Sequence, residues 1–383
     1  MNPKTALPRS DMPEETQPTP RTTFVYDEWM ESQELPIYRG HFVPDMRTLP
    51  LARWEERGCD AAFVQLTGQE GVSEARITEI APGETLPPFK LAIDEMVYVV
   101  SGSGSTRVWA HGNRAEDGHQ FEWHDKALFM IPPNHYAEYS NLRGDQPVRL
   151  LHYTYLPLAM SLVTDPDFFF DNPYSRSTSS IGLQSAFSEA KMISGGEGFR
   201  WIISRHRNVA YWYGNFFPDM GAWEKLDANP YRGAGGSTVR MQFAGSDMSC
   251  HMSVFDAMTY KKAHRHGPGR VIVIPSGEGY STLWLEGQEE PVVVPWQEAA
   301  LFVPPDRWFH QHFNLSGEPA RYLALHPPMQ FHGYAEKAED RERDQIEYPD
   351  QDPSVRLRFE AELAKRGLES RMPKDAYEGH GDA

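Results

Sequence analysis

Three blocks of sequence recur in the same order along this chain, at nearly constant spacing. Gly40, Phe42, Pro44, Asp45 and Met46 return as Gly214, Phe216, Pro218, Asp219 and Met220, at 214 − 40 = 174 residues. The run from Glu95 to Gly104 returns as Arg270 to Gly279, with its paired glycines at 277 − 102 = 175. Pro132 to Glu138 returns as Pro304 to His310, with the second prolines at 305 − 133 = 172. A chain that repeats itself in this way folds as two copies of one unit packed on each other. Its 383 residues suffice for two to three domains and a sizeable core.

Each copy reads as β-structure. Short β-branched and aromatic runs (Met96 to Val100, Val148 to Tyr155, Val271 to Ile274, Val292 to Val294, Arg321 to Leu325) are separated by Gly, Pro and Asn turns. Gly102-Ser103-Gly104 and Gly277-Glu278-Gly279 predict tight hairpin turns. The expected fold is all-β, with two small jelly-roll barrels over about 65–157 and 238–328. The Gly-x-Phe blocks fall outside these spans, in 24–64 and 158–237, which are expected to pack on the barrels as arms. The organisation is then a disordered, proline-punctuated N-terminus (1–23), an N-terminal unit with its arm (24–157), a connecting arm (158–237), a C-terminal unit (238–328) and a charged extension (329–383). Within the extension, Ser354 to Arg366 predicts a helix with Val355, Phe359 and Leu363 on one face and Gly367 as its stop. The flanks, Glu336 to Asp352 and Glu369 to Ala383, are expected to be mobile. Ser194 to Gly198 and Gly233 to Gly236 are read as flexible loops, because neither follows a clear strand and opens a clear helix.

The second copy carries chemistry that the first lacks. His264 and His266 lie two residues apart, so on a strand both imidazoles share one face. His310, on another strand, can close a three-nitrogen site for a divalent metal. His312 shares the face of His310 and reads either as a substrate contact or as packing. At the repeat offset the first copy has Phe89 and Leu91 in place of the first two histidines and Glu138 in place of His310. It is therefore read as a barrel kept for packing or as a wall of the pocket, with Glu95 and Glu138 free to meet a cation such as Lys90.

The pattern His264-x-His266, Gly277, then Pro305, His310 and Asn314 resembles the paired motifs of the cupin superfamily. The duplication makes the resemblance one to two-domain bicupins. Two positions depart from the family pattern: Arg270 stands where a ligating Glu is usual, and Arg307 replaces a Gly. A guanidinium does not bind metal, so three neutral imidazoles would leave the ion's charge uncancelled and several coordination positions open. This glutamate-free set is similar to that of gentisate dioxygenase-like ring-cleaving enzymes. The resemblance implies Fe(II), O₂ and a small anionic, hydroxylated aromatic substrate, with Mn, Zn or Ni as alternative metals. Arg270 would clamp the substrate carboxylate, with Arg307 and Arg265 as further candidates; the alternative for Arg270 is a surface or inter-barrel salt bridge. Trp308, Phe309 and Tyr280 are candidate pocket walls. Two other readings remain open: a metal-dependent lyase, isomerase or decarboxylase that does not use O₂, and a non-catalytic ligand-binding bicupin. Cupins often pair barrel edge to barrel edge, so the resemblance also allows a homo-oligomer.

Composition narrows the partners. With 54 acidic against 37 basic residues and a net charge of −17, nucleic acid and anionic membrane surfaces are poor partners. Lys261, Lys262, Arg265, Arg270 and Arg307 oppose that trend around the histidines. Only Cys59 and Cys250 occur, so there is no disulfide framework or zinc-finger spacing. No signal-peptide core or 18-residue apolar run is found, and a cytoplasmic location is the expectation. No Gly-x-Ser-x-Gly elbow or phosphate loop is present.

Overall fold

The computed structural model describes residues 22–170, 172–173, 182–193, 211–224, 226–228, 232–233, 235–328 and 343–378. The expectations for residues 1–21, for Ser194 to Gly198 and for much of Glu336 to Asp352 lie outside these residues.

Among the described residues the chain forms four sheets, two in each half. In the first half the large sheet runs, in spatial order, Ile37–Gly40, Cys59–Leu66, Glu74–Ile80, Val148–Thr154, Glu95–Ser101 and Leu128–Ile131. The small sheet facing it runs Phe89–Lys90, His135–Asn141, Ser103–Ala110 and His119–His124. The second half repeats the plan. Tyr211–Tyr213, Ser237–Gln242, Ser249–Phe255, Ala320–His326, Val271–Ser276 and Leu301–Phe302 face Val292–Trp296, Gly279–Trp284, Phe309–Asn314 and Ala263–His264. The chain is all-β in class, a duplicated jelly roll, as its repeat predicts.

Period-two alternation decides what each strand buries. On Ser249–Phe255, Cys250 and Met252 face away from the second barrel's interior, and His251, Ser253 and Phe255 face into it. The outward residues of both large sheets meet in one shared core: Val64, Ile77, Met96 and Leu151 pack with Met241, Met252, Val273 and Leu323. Each barrel also has an inner core. In the second it comprises Phe255, Ile272, Ile274, Leu283, Trp296 and Phe302. The two halves are thus joined over an apolar interface rather than by a linker, and Tyr153 of the first donates a hydrogen bond to the Gly269 carbonyl of the second at 2.6 Å.

The arms add strands to their own barrels, Ile37–Gly40 to the first and Tyr211–Tyr213 to the second, but the Gly-x-Phe block of each crosses to the opposite one. Phe42–Val43 pairs with Leu301–Phe302 of the second barrel, and Phe216–Phe217 pairs with Leu128–Ile131 of the first. Met46 N–H donates to the Ala299 carbonyl and Met220 N–H to the Lys126 carbonyl, both at 2.9 Å. The recurring Gly-x-Phe block is therefore a reciprocal edge strand, which covers the sheet edge that each barrel would otherwise expose.

The paired glycines have separate roles. Gly102 and Gly277 turn the chain at φ +92° and +105°. At Gly104 and Gly279 a Cβ would lie 2.3 Å from the Trp123 ring and 2.6 Å from the Trp296 ring. Those indoles donate to Thr106 and Ser281, at 2.8 and 3.0 Å. Gly233 and Gly235 approach the second half closely: a Cβ at Gly233 would collide with Tyr348, and one at Gly235 with Asp256.

The C-terminal helix spans Pro353–Ala364, capped by the Asp352 side chain, which accepts from Ser354 N–H at 2.8 Å. Phe359 and Leu363 are fully buried on Tyr260, Tyr280 and Phe313, and Gly367 follows at φ +70°. Its flanks are not uniformly loose, as their charge had suggested. Gln345–Ile346 adds a strand beside Ala263–His264, and Tyr348 and Met372 are buried. No helix among the described residues is long and apolar enough to cross a membrane.

Candidate metal centre

His264 and His310 sit directly opposite each other across neighbouring antiparallel strands. His266 follows on the same face, two residues on. Their ring centroids are 4.2 Å apart for His264 and His310, 4.6 Å for His266 and His310, and 5.9 Å for His264 and His266. One nitrogen from each lies within 4.8 Å of the others, a set able to hold a metal ion. In each ring Nδ1 lies near a backbone carbonyl of its own segment: Lys262 at 3.4 Å, Gly267 at 2.8 Å and Trp308 at 3.4 Å. Assigning the proton to Nδ1 accordingly leaves Nε2 as the bare donor, which fixes tautomer and ring orientation together. Burial depresses all three imidazoles well below the ordinary histidine range, His310 to about 3, and neighbouring positive groups push the same way. Neutral, oriented, converging nitrogens are what a divalent first-row ion requires.

The two-sheet barrels, their tandem repeat and the histidine motif on the small-sheet strands are together decisive. This chain has the bicupin fold. No known family profile matches it, and no curated protein sequence is similar. Among solved structures it is similar to oxalate decarboxylase from Bacillus subtilis, at 12% identity and TM-score 0.47, over 90% of this chain and 86% of that one. It is also similar to salicylate 1,2-dioxygenase from Pseudaminobacter salicylatoxidans, at 14% identity and TM-score 0.44, over 67% of this chain and 71% of that one.

The second barrel is cationic around the triad. Arg270 is the strongest positive influence on His266 and also acts on His310 and His251. Arg232, which sequence reasoning did not single out, acts on His264, His266, His310 and His312. It comes from the connecting arm, and its backbone carbonyl accepts from Lys262 N–H at 3.0 Å. Arg240 and His251 also face the interior, and His251 Nδ1 lies 2.8 Å from His326 Nε2. The alternation of His251 and Ser253 with Cys250 and Met252 was the available signal for this inner polar face.

His312 lies beside the triad, 5.5 Å from His310 between ring centroids. Its Nδ1 is 2.8 Å from Ser281 Oγ, which also accepts the Trp296 N–H at 3.0 Å. Ser281 Oγ therefore links the Trp296 indole to the His312 ring. The His312 Nε2 is buried and has no hydrogen-bond partner among the described residues.

Several expected site residues are elsewhere. Arg265 and Arg307 both bind Asp344, at 3.0 and 2.5 Å, and so fasten the C-terminal segment rather than a substrate. Tyr280 stacks on Phe313 at 4.4 Å and Phe309 on Trp284 at 5.6 Å. Both belong to the outer face of the small sheet, because alternation from His310 and His312 turns them away from the triad. Trp308, by contrast, packs against the inner core of this barrel, and its ring lies 6.2 Å from His41 of the first arm. The aromatic neighbours of His312 are instead Tyr322 at 4.7 Å and Phe302 at 5.8 Å.

The first barrel departs from its expected detail. Phe89 pairs with Ala137, so Ala137, not Glu138, stands in the place of His310. Tyr139 then matches His312, and Asn141 matches Asn314. Both asparagines bridge turn backbone, to Ile80, Ala81 and Gln146 in one barrel and to Asp256 and Glu318 in the other. Glu95 meets Arg76 at 2.7 Å and His152 at 3.2 Å rather than Lys90, whose ammonium binds the Asn172 carbonyl. Arg76 also binds Glu74. Glu138 points outward to Arg107 at 3.7 Å.

Proposed function

We propose that this bicupin is a metal-dependent enzyme whose centre is held by His264, His266 and His310, and that it is an Fe(II) dioxygenase of small hydroxylated aromatic acids. The observation that supports the reading is the convergence of three neutral imidazoles within 4.8 Å, in surroundings whose neighbouring charges are positive. A bound Fe(II) would supply Lewis acidity and an electron source for joining O₂ to a chelated hydroxy acid. The protein's part is placement. Arg270 would draw and orient the carboxylate of the substrate. Tyr322 and Phe302 would exclude water from the His312 side. Arg232 would add to the attraction for an anion.

The test is O₂ uptake by anaerobically purified, Fe(II)-loaded protein against a panel of hydroxybenzoates. Uptake in proportion to substrate consumed is expected. Consumption that continues without O₂ would replace this reading by metal-dependent decarboxylation or another lyase reaction.

A further inference from the structure

Lys261 is fully buried, and its Nζ has no hydrogen-bond partner or ion pair among the described residues. The ammonium stands over the rings of Tyr322 and Phe255, at 5.2 and 5.5 Å. Those faces attract a cation but accept none of its three N–H donors in the way an oxygen does. Its backbone N–H donates to the His312 carbonyl at 3.0 Å, so the two residues are cross-strand neighbours. Tyr322 joins them inside the barrel, 4.7 Å from the His312 ring. Two buried nitrogens, Lys261 Nζ and His312 Nε2, therefore flank one aromatic ring, and neither has a hydrogen-bond partner among the described residues.

A donor left in this state costs free energy unless an acceptor arrives. The acceptor's sign is set by its surroundings. Burial, then the charge of Arg232, push the Lys261 ammonium down to about 7. The other charges bearing on this part of the barrel, from Arg240 and Arg270, are also positive. A neutral ligand group would leave those charges uncompensated; a carboxylate would answer them.

We propose that Lys261, beside His312, forms a second anion subsite in the C-terminal barrel, and that the natural substrate carries a second carboxylate which docks there. The proposal rests on the metal-centre reading only for the placement of the chelating end of the substrate. Arg270 and the triad take one acidic group and Lys261 the other, so the preferred ligand is a dianion held at both ends. A purely structural lysine, packed under two aromatic rings, would show no such preference.

The experiment is calorimetric titration, under anaerobic conditions, of wild-type protein and Lys261→Met. Each is studied metal-loaded and metal-free, with salicylate and with its carboxylated analogues hydroxyterephthalate and hydroxyisophthalate. At least one dicarboxylate should bind wild type about tenfold or more tightly than salicylate, the worth of one charged hydrogen bond. Lys261→Met should abolish that gain and leave salicylate within about twofold of wild type. Lys261→Gln serves the same comparison if the methionine variant does not fold. The subsite is overturned if no dicarboxylate gains over salicylate in wild type, or if the gain survives loss of the amine. Metal dependence is read separately. Salicylate binding that ignores the metal would overturn the metal-centre reading, whereas loss of the dicarboxylate gain in the lysine variant would still support the subsite.

Discussion

Replacing Arg76 with methionine would remove the guanidinium that holds two buried carboxylates in the first barrel. Its side chain is 3% exposed, and those of Glu74 and Glu95 are 0% and 4% exposed. Without it, Glu95 keeps His152 and the Tyr139 hydroxyl, at 3.2 and 3.3 Å, while Glu74 keeps the Thr154 hydroxyl, at 3.4 Å, and the hydroxyl of buried Tyr26. Methionine fills most of the vacated volume, so the cost is electrostatic rather than a cavity. Breaking a buried ion pair from one side costs about 3–5 kcal/mol, because the remaining charge is stranded. Urea unfolding should therefore show Arg76→Met less stable by that amount. Adding Glu74→Gln and Glu95→Gln, which removes the stranded charges, should restore much of the loss. Turnover per folded molecule should not change, since the second barrel holds the proposed chemistry. Stability within about 1 kcal/mol of wild type would refute the electrostatic argument. Lost turnover at unchanged stability would refute the structural role assigned to the first barrel.

Three further outcomes are expected. The Glu95 carboxyl is opposed by its burial, but His152 and then Arg76 and Arg57 outweigh that and hold it down to about 2. A depressed carboxyl stabilises the fold above its unfolded value of 4.5 and loses that contribution as pH falls towards 2. Glu74, raised by burial, works in the opposite sense. Urea unfolding of Glu95→Gln should then lose less stability than wild type between those two pH values, and parallel profiles would contradict the assignment. Asp344→Asn weakens the ties to Arg265 and Arg307 and should cost about 1–2 kcal/mol. Amide exchange at Gln345–Ile346 should quicken, with metal content retained; unchanged exchange would show that the strand is held by other contacts. Arg270→Met should raise KM for an anionic substrate by about tenfold or more at unchanged metal content; an unaltered KM would return Arg270 to a salt-bridge role.

The duplication, the triad, the hairpin glycines and the C-terminal helix could all be read from local pattern. Each is encoded within a few residues: a two-residue spacing for His264 and His266, a Gly-x-Gly, a helical stripe of Val355, Phe359 and Leu363. The crossing of the arms could not be, because nothing in the block around Phe42 or Phe216 states which barrel's edge it will complete. The place of Glu138 was misjudged through an error of one residue in the offset, and in a strand that is enough to turn every side chain to the other face. Tyr280 and Phe309 depart from their expected place as pocket walls for a related reason: alternation from His310, not aromatic character, sets the face they occupy. Arg232 was overlooked because it lies in the connecting arm, far in sequence from the motif it faces. Lys261 was visible only as one of several positive residues. Its burial and its lack of an acceptor emerge from the packing of Phe255 and Tyr322, which are distant in sequence from each other.

Metal stoichiometry in the histidine variants addresses the centre itself. Protein prepared without oxygen and loaded with Fe(II) should hold one ion per chain by elemental analysis. His264→Ala, His266→Ala and His310→Ala should each fall to about a tenth of that or less under the same loading, with their metal-free unfolding midpoints near that of wild type. Full occupancy in any one of the three would contradict a centre built from these imidazoles.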